Sequence, residues 1–233
     1  MKIFRFSFYI LIIGVILVFA IGCDKKDVKA VSNNNKINID KNKEEFTPVF
    51  KKEDIPKSVY EKMLGKSIPD KDLVDISQLS YLTITYYGFD DKPHIGEMIV
   101  NKSVDNEVLD IFKELFEKKY PIEKMRLIDE YDADDNLAMK DNNTSAFNYR
   151  VIEGSNVLSN HAKGLAIDIN TLINPMVKNG QVSPKEGEKY IDRTINAKGM
   201  IKKGDACYEA FIKRGWTWGG DWNTLKDYQH FEK

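Results

Sequence analysis

The chain holds three histidines, His94, His161 and His230, and the last two lie in stretches dense in polar residues and glycine. Imidazole and carboxylate are common ligands of a hydrolytic zinc ion, which takes three protein ligands and keeps a fourth position open for water. His161, Asp168 and His230 would supply that set. A turn at Lys163-Gly164 can redirect the chain after His161, so that a strand beginning at Leu165 returns Asp168 towards the imidazole. Side chains alternate along a strand. Ala166 and Asp168 then share one face, which turns Asp168 into a cleft, while Leu165, Ile167 and Ile169 share the other, buried one. On spacing alone the pair also fits a surface turn, the commoner case. Near the C-terminus, Asp227 stands three residues before His230. A carboxylate placed there can take a proton from an attacking water and pass it to a leaving amine, with a metal ion lowering the pKa of the water and polarising the scissile carbonyl. The same spacing also fits a hydrogen-bonded surface pair. His94 follows Pro93 in a loop without a local partner and reads as an exposed or satisfied histidine.

The elements that would position these groups are mixed in type. Ile55-Pro56 followed by Val59, Tyr60, Met63 and Leu64 predicts a short helix closed by Gly65. Tyr81 to Tyr87 and Met98 to Val100, separated by the turn-like Asp90-Asp91-Lys92-Pro93, predict an antiparallel pair of strands. Ser103 is placed to cap a helix whose apolar positions are Val104, Val108, Ile111, Phe112, Leu115 and Phe116. Further strands are expected over Lys124–Tyr131 and Leu165–Ile169, a turn at Asn179-Gly180, and a second helix capped by Asp205 that stops at Gly215. Cys207 falls in the apolar pattern of that helix and reads as a buried thiol. No βαβ rhythm and no internal repeat is visible. An α+β fold is expected, a small antiparallel sheet flanked by helices with the zinc site in a cleft.

Two segments together carry a family resemblance: Ser159 through Asp168, then Gly215-Trp216-Thr217-Trp218-Gly219-Gly220-Asp221-Trp222 and Asp227 through Glu232. This combination resembles the bacterial D-alanyl-D-alanine carboxypeptidase and L-alanyl-D-glutamate endopeptidase metallopeptidases, a family that includes vancomycin-resistance carboxypeptidases and phage endolysins. More loosely the resemblance runs from about Ile55 to Lys233, through Gly65–Pro69, Gly96–Asn101 and Thr144–Arg150. It implies a fold of the hedgehog/DD-peptidase type, a Zn²⁺ cofactor on His161, Asp168 and His230, and Asp227 as the general acid/base. Where the carboxypeptidase branch places Glu, this chain has Asp227, as the endolysin-like branch does. Arg150 matches an arginine that the family uses near the substrate carbonyl, where a fixed cation can stabilise an oxyanion; a structural salt bridge is its alternative reading. Ser159 is a candidate to hydrogen-bond a ligand or substrate, or to cap a turn. Trp216, Trp218 and Trp222 either line a cleft for the peptide or fill core beside the metal, and Trp218 is taken with Ser159 as the substrate-binding candidate.

A chain of 233 residues with 42% hydrophobic content can bury one sizeable core, so one catalytic domain with appendages is expected. The formal net charge of −1 lacks the basic excess of a phosphate-tracking surface, which argues against nucleic acid as a partner. Lys2 and Arg5 precede an apolar run from Phe6 to Ile21 that ends in Ala20-Ile21-Gly22-Cys23, the layout of a secretory signal. The small residues before Cys23 resemble the lipobox of bacterial lipoproteins, with an uncleaved signal anchor as the alternative. Residues 1–22 are thus expected to be a signal peptide, 23–46 a lipidated Cys23 with a flexible Lys, Asp and Asn-rich tether, and 47–233 the metallopeptidase domain. The expected protein is an extracytoplasmic, membrane-attached monomer acting on peptidoglycan. Endopeptidase cleavage between L-alanine and D-glutamate is favoured over D-alanyl-D-alanine carboxypeptidase action. A wall-binding lipoprotein without catalysis and a hydrolase of unrelated small amides are the other readings.

Overall fold

The computed structural model describes residues 46–152 and 154–233. The expected signal peptide, Cys23 and residues 24–45 of the expected tether lie outside the described residues. The described chain opens with strand β1 (Phe50–Glu53) and helix α1 (Lys57–Met63), which gives way at Leu64 to Gly65 in the left-handed region, φ 76°. Strands β2 (Leu79–Tyr87) and β3 (Pro93–Asn101) form the expected hairpin, with β1 antiparallel on the other side of β2. Alternation divides β2 between two cores. Leu82, Ile84 and Tyr86 face the main core, whereas Leu79 and Tyr81 pack with Val59 and Met63 of α1 in a second cluster.

Helix α2 (Asp105–Glu117) buries Val108, Ile111, Phe112 and Leu115 against the main-core face of this sheet. Its start differs from the expectation: Ser103 Oγ donates to Asn101 Oδ1 at 2.8 Å and makes no cap. The first turn instead carries Asp105, which accepts from Ser80 Oγ at 2.7 Å and Lys52 Nζ at 2.8 Å. Acidic groups there also complement the helix dipole.

The strand expected over Lys124–Tyr131 is shorter. Only β4 (Lys124–Met125) is strand, and Ile128–Tyr131 is a 3-10 turn that ends at the left-handed Asp132 and Ala133. Asn143 explains the stop. Its side-chain oxygen accepts from Arg126 N and its amide donates to Arg126 O, both at 3.0 Å, so a side chain satisfies the backbone that a ladder would otherwise hold. Beyond helix α3 (Asp135–Lys140), strand β5 (Asn143–Thr144) pairs with β4 in parallel.

The C-terminal part carries two more small sheets. Strands β6 (Ala166–Asp168), β7 (Met176–Lys178) and β8 (Gln181–Ser183) come first, and Asn179 and Gly180 turn β7 into β8 with φ of 51° and 77°. Two consecutive positive φ values are what a tight type I′ hairpin needs, and Asn-Gly supplies them at least strain. Helix α4 (Ala206–Ile212) is capped by Asp205, whose Oδ1 accepts from Tyr208 N at 2.8 Å. It holds the fully buried Cys207. Strands β9 (Thr217–Trp218), β10 (Lys226–Asp227) and β11 (His230–Glu232) complete the order β6-β11-β9 and β10-β7-β8. Phe231 of β11 stacks on Phe211 of α4 at 4.0 Å and ties the last strand to the main core. The architecture is mixed, with small, mostly antiparallel sheets and few helices, consistent with α+β. Among the described residues no helix is long and apolar enough to cross a membrane.

Candidate metal centre

Three features of the backbone bring His161, Asp168 and His230 together. The first is the turn after His161. Residues His161–Lys163 form one 3-10 turn and Gly164 closes it at φ 68°, its N–H bonded to His161 O at 3.0 Å. A Cβ at Gly164 would lie 2.5 Å from the backbone N of Asn101, so the position suits glycine on both conformational and steric grounds. The second is register. In the antiparallel pair of β6 and β11, His230 lies directly opposite Asp168. Ile169 N bonds Gln229 O at 3.1 Å on one side of that pair, which makes His230 and Asp168 a non-hydrogen-bonded pair, the kind whose side chains come closest. The third is a second partner for Asp168, whose backbone exchanges bonds of 2.9 and 3.1 Å with Ser145.

The side chains converge. Asp168 Oδ2 lies 3.2 Å from His161 Nε2, and Asp168 Oδ1 lies 3.0 Å from His230 Nδ1. The two inward nitrogens, His161 Nε2 and His230 Nδ1, are 3.2 Å apart. One ligand atom from each of the three residues falls within 4.8 Å of the other two. Burial alone would raise the Asp168 carboxyl, but the charges and hydrogen bonds of His161 and His230 hold it well below the usual carboxylate range. On its outer side, His161 Nδ1 meets Ala146 O at 2.6 Å; a carbonyl only accepts, so Nδ1 carries a proton there and Nε2 is the nitrogen turned inward. Two imidazoles and a carboxylate, nearly buried and aimed at one point, form a group that can hold a metal ion.

Asp227 lies on β10 opposite Met176. Its Oδ1 is buried without a hydrogen-bond partner. Burial pushes this carboxyl up to about 6, with the His230 charge pulling down and the Asp168 charge adding to the rise. Such a group near neutrality suits proton transfer. The Gly-Gly step of the Trp-rich segment gives Asp227 its place. A Cβ on Gly219 would lie 2.6 Å from Asp227 O and 2.8 Å from its Cβ.

The remaining candidates separate. Ser159 is buried and its Oγ accepts from His161 N at 3.2 Å, so it shapes the turn that carries His161. Arg150 pairs through Nε with Asp135 of α3, and its backbone carbonyl takes the N–H of Ser159 at 3.0 Å. Trp218 is placed in the core: it is 5% exposed, its indole N–H donates to Tyr228 O at 3.0 Å, and its ring packs on Tyr208 and Phe231. That burial leaves it almost no surface for a substrate. Trp216 is also core, with its N–H on Glu107. Trp222 is the aromatic beside the metal group, its ring 5.3 Å from that of His230. The sequence grouped the three tryptophans but held no signal to tell them apart. His94, away from this group, stacks on Tyr86 and reaches Asp90 at 2.8 Å.

Sequence reasoning assigned no role to Asn160 and Glu232. Glu232 Oε2 lies 3.1 Å from His230 Nε2 and accepts from Asn160 Nδ2 at 2.8 Å. The spacing of His230 and Glu232, two apart on a strand and hence on one face, was the available signal.

No curated protein and no solved structure matches the chain. A family model described as D-alanyl-D-alanine carboxypeptidase matches residues 153–233, a range that contains His161, Asp168, Asp227 and His230 and leaves Arg150 outside. The C-terminal segment of this chain, which supplies every member of the metal group, is therefore similar to the family of peptidases described as D-alanyl-D-alanine carboxypeptidase.

Proposed function

We propose that the protein is a zinc-dependent peptidase that hydrolyses amide bonds in the stem peptides of peptidoglycan. The observation that carries this reading is the convergence of His161 Nε2, His230 Nδ1 and the Asp168 carboxylate, together with the buried, unpartnered Oδ1 of Asp227, whose carboxyl feels the charges of His230 and Asp168. Zinc, when bound by the three residues, supplies Lewis acidity to the scissile carbonyl and acidity to an attacking water. Asp227 takes the proton released in the attack and returns it to the leaving amine. Arg150, held by Asp135, is the cation we assign to the substrate carbonyl, and Trp222 replaces Trp218 as the aromatic wall of the cleft. Cleavage between L-alanine and D-glutamate is favoured by the aspartate at position 227. The description of the matched family supports the second reading, removal of a terminal D-alanine.

The full chain, incubated with purified peptidoglycan, is expected to release new peptide termini that mass spectrometry assigns to one of these two bonds. A zinc chelator should abolish them. Absence of metal-dependent termini would refute the peptidase reading.

We further propose that Cys23 carries a lipid that holds the protein on the outer side of the bacterial membrane, close to its substrate. The small residues before Cys23 and the apolar run from Phe6 support this. Cys23→Ala is expected to abolish labelling by a radioactive fatty acid, and undiminished labelling would rule the anchor out.

A further inference from the structure

We propose that Glu232 is a positioning residue for the metal centre: it fixes the tautomer and orientation of His230 so that Nδ1 presents its lone pair to the ion. The inference rests on the metal-binding reading of His161, Asp168 and His230. Its basis is the direction of each hydrogen bond. Asn160 Nδ2 can only donate, so Glu232 Oε2 accepts from it at 2.8 Å. Lys163 Nζ donates to the other end of the same amide, Asn160 Oδ1, at 3.2 Å, and this sets which way the amide faces. An ionised carboxylate has no proton to give, so at the 3.1 Å contact His230 Nε2 must be the donor. With Nε2 committed to Glu232, Nδ1 is the nitrogen left to ligate an ion, and it lies 3.0 Å from Asp168 and 3.2 Å from His161 Nε2.

The two histidines are therefore held with opposite nitrogens turned inward by two outward acceptors, the Ala146 carbonyl for His161 and the Glu232 carboxylate for His230. Backbone geometry makes room for this arrangement. Glu232 lies opposite Ala166 in the β6–β11 register, as His230 lies opposite Asp168, so both pairs project from one face. The small, fully buried Ala166 leaves Glu232 free to lean along the strand towards His230. Asn160, next to His161 in sequence, joins the turn that carries one imidazole to the strand that carries the other.

Removal of an outer partner of a ligating histidine typically weakens metal binding by about 10–100-fold. For the full chain, competition with a chromophoric chelator is expected to show the zinc Kd of Glu232→Ala raised by roughly that factor. Glu232→Gln, which keeps an acceptor oxygen, should restore most of the loss. Nitrogen-15 NMR of the imidazoles should find wild-type His230 protonated on Nε2 and the alanine variant shifted towards Nδ1, a change that mere loss of packing would not produce. Should Glu232→Ala fail to fold, Asn160→Ala, which removes one of the two restraints on the carboxylate, is expected to shift affinity and tautomer in the same direction by a smaller amount. An alanine variant with wild-type affinity, or with His230 still protonated on Nε2, would overturn the proposal. A wild-type chain that binds no zinc would instead overturn the metal reading beneath it.

Discussion

Replacement of Asp227 with Asn is expected to lower kcat by about 10²–10⁴-fold while zinc stays bound, the range a positioned proton-transfer group commands. The reason is geometric as well as chemical. Asp227 is not among the three converging ligands, so its loss leaves the donor set whole. Its Oδ1 has no hydrogen-bond partner, so the amide breaks none there. Burial costs the charged carboxylate more than a neutral amide, and the thermal midpoint should hold or rise. The check is a steady-state assay on peptidoglycan fragments beside a zinc titration of the same preparation. Turnover close to wild type with full zinc occupancy would remove Asp227 from the proton-transfer role, and lost zinc would reassign it to the ligands.

The second large effect is expected at Asp168. Asp168→Ala should raise the zinc Kd by roughly 10²–10³-fold or more and take activity to background, because removing one partner of a buried charged group costs about 3–5 kcal/mol. Asp168 is the member that touches both imidazoles, at 3.2 and 3.0 Å. Without it, two nearly buried histidines face each other with no negative charge between them. The contrast with Asp227 is the informative part: one aspartate is expected to govern occupancy and the other turnover. Unchanged zinc affinity in Asp168→Ala would exclude it as a ligand.

The parts of the fold legible in the sequence are those fixed by short-range chemistry. Asn179-Gly180 announced a hairpin because few other pairs accept two positive φ values, and Asp205 announced a helix start because its carboxylate can take an early N–H. Ser103 failed as a cap because the helix starts one residue later, with Val104 at the cap position, and the Ser103 hydroxyl donates instead to Asn101 Oδ1. The strand expected beyond Met125 failed because the Asn143 side chain took the backbone groups of Arg126. The first failure turns on a neighbour two residues away, and the second on a partner brought in by the fold, which local propensity cannot register.

The same division holds for the site. Residue identity and order alone determined the donor chemistry, namely two imidazoles, a carboxylate and a separate aspartate in a run that matches a peptidase family. Only tertiary structure decided which atoms meet. The pairing of His230 with Asp168 depends on the register of two strands far apart in the chain. The choice of Trp222 over Trp218 depends on which ring the core of Phe211 and Phe231 had already claimed. The role proposed for Glu232 rests on a hydrogen bond from Asn160 across 72 residues. Contacts of that range arise when the chain closes on itself, and a linear pattern of residue types carries no distance between them.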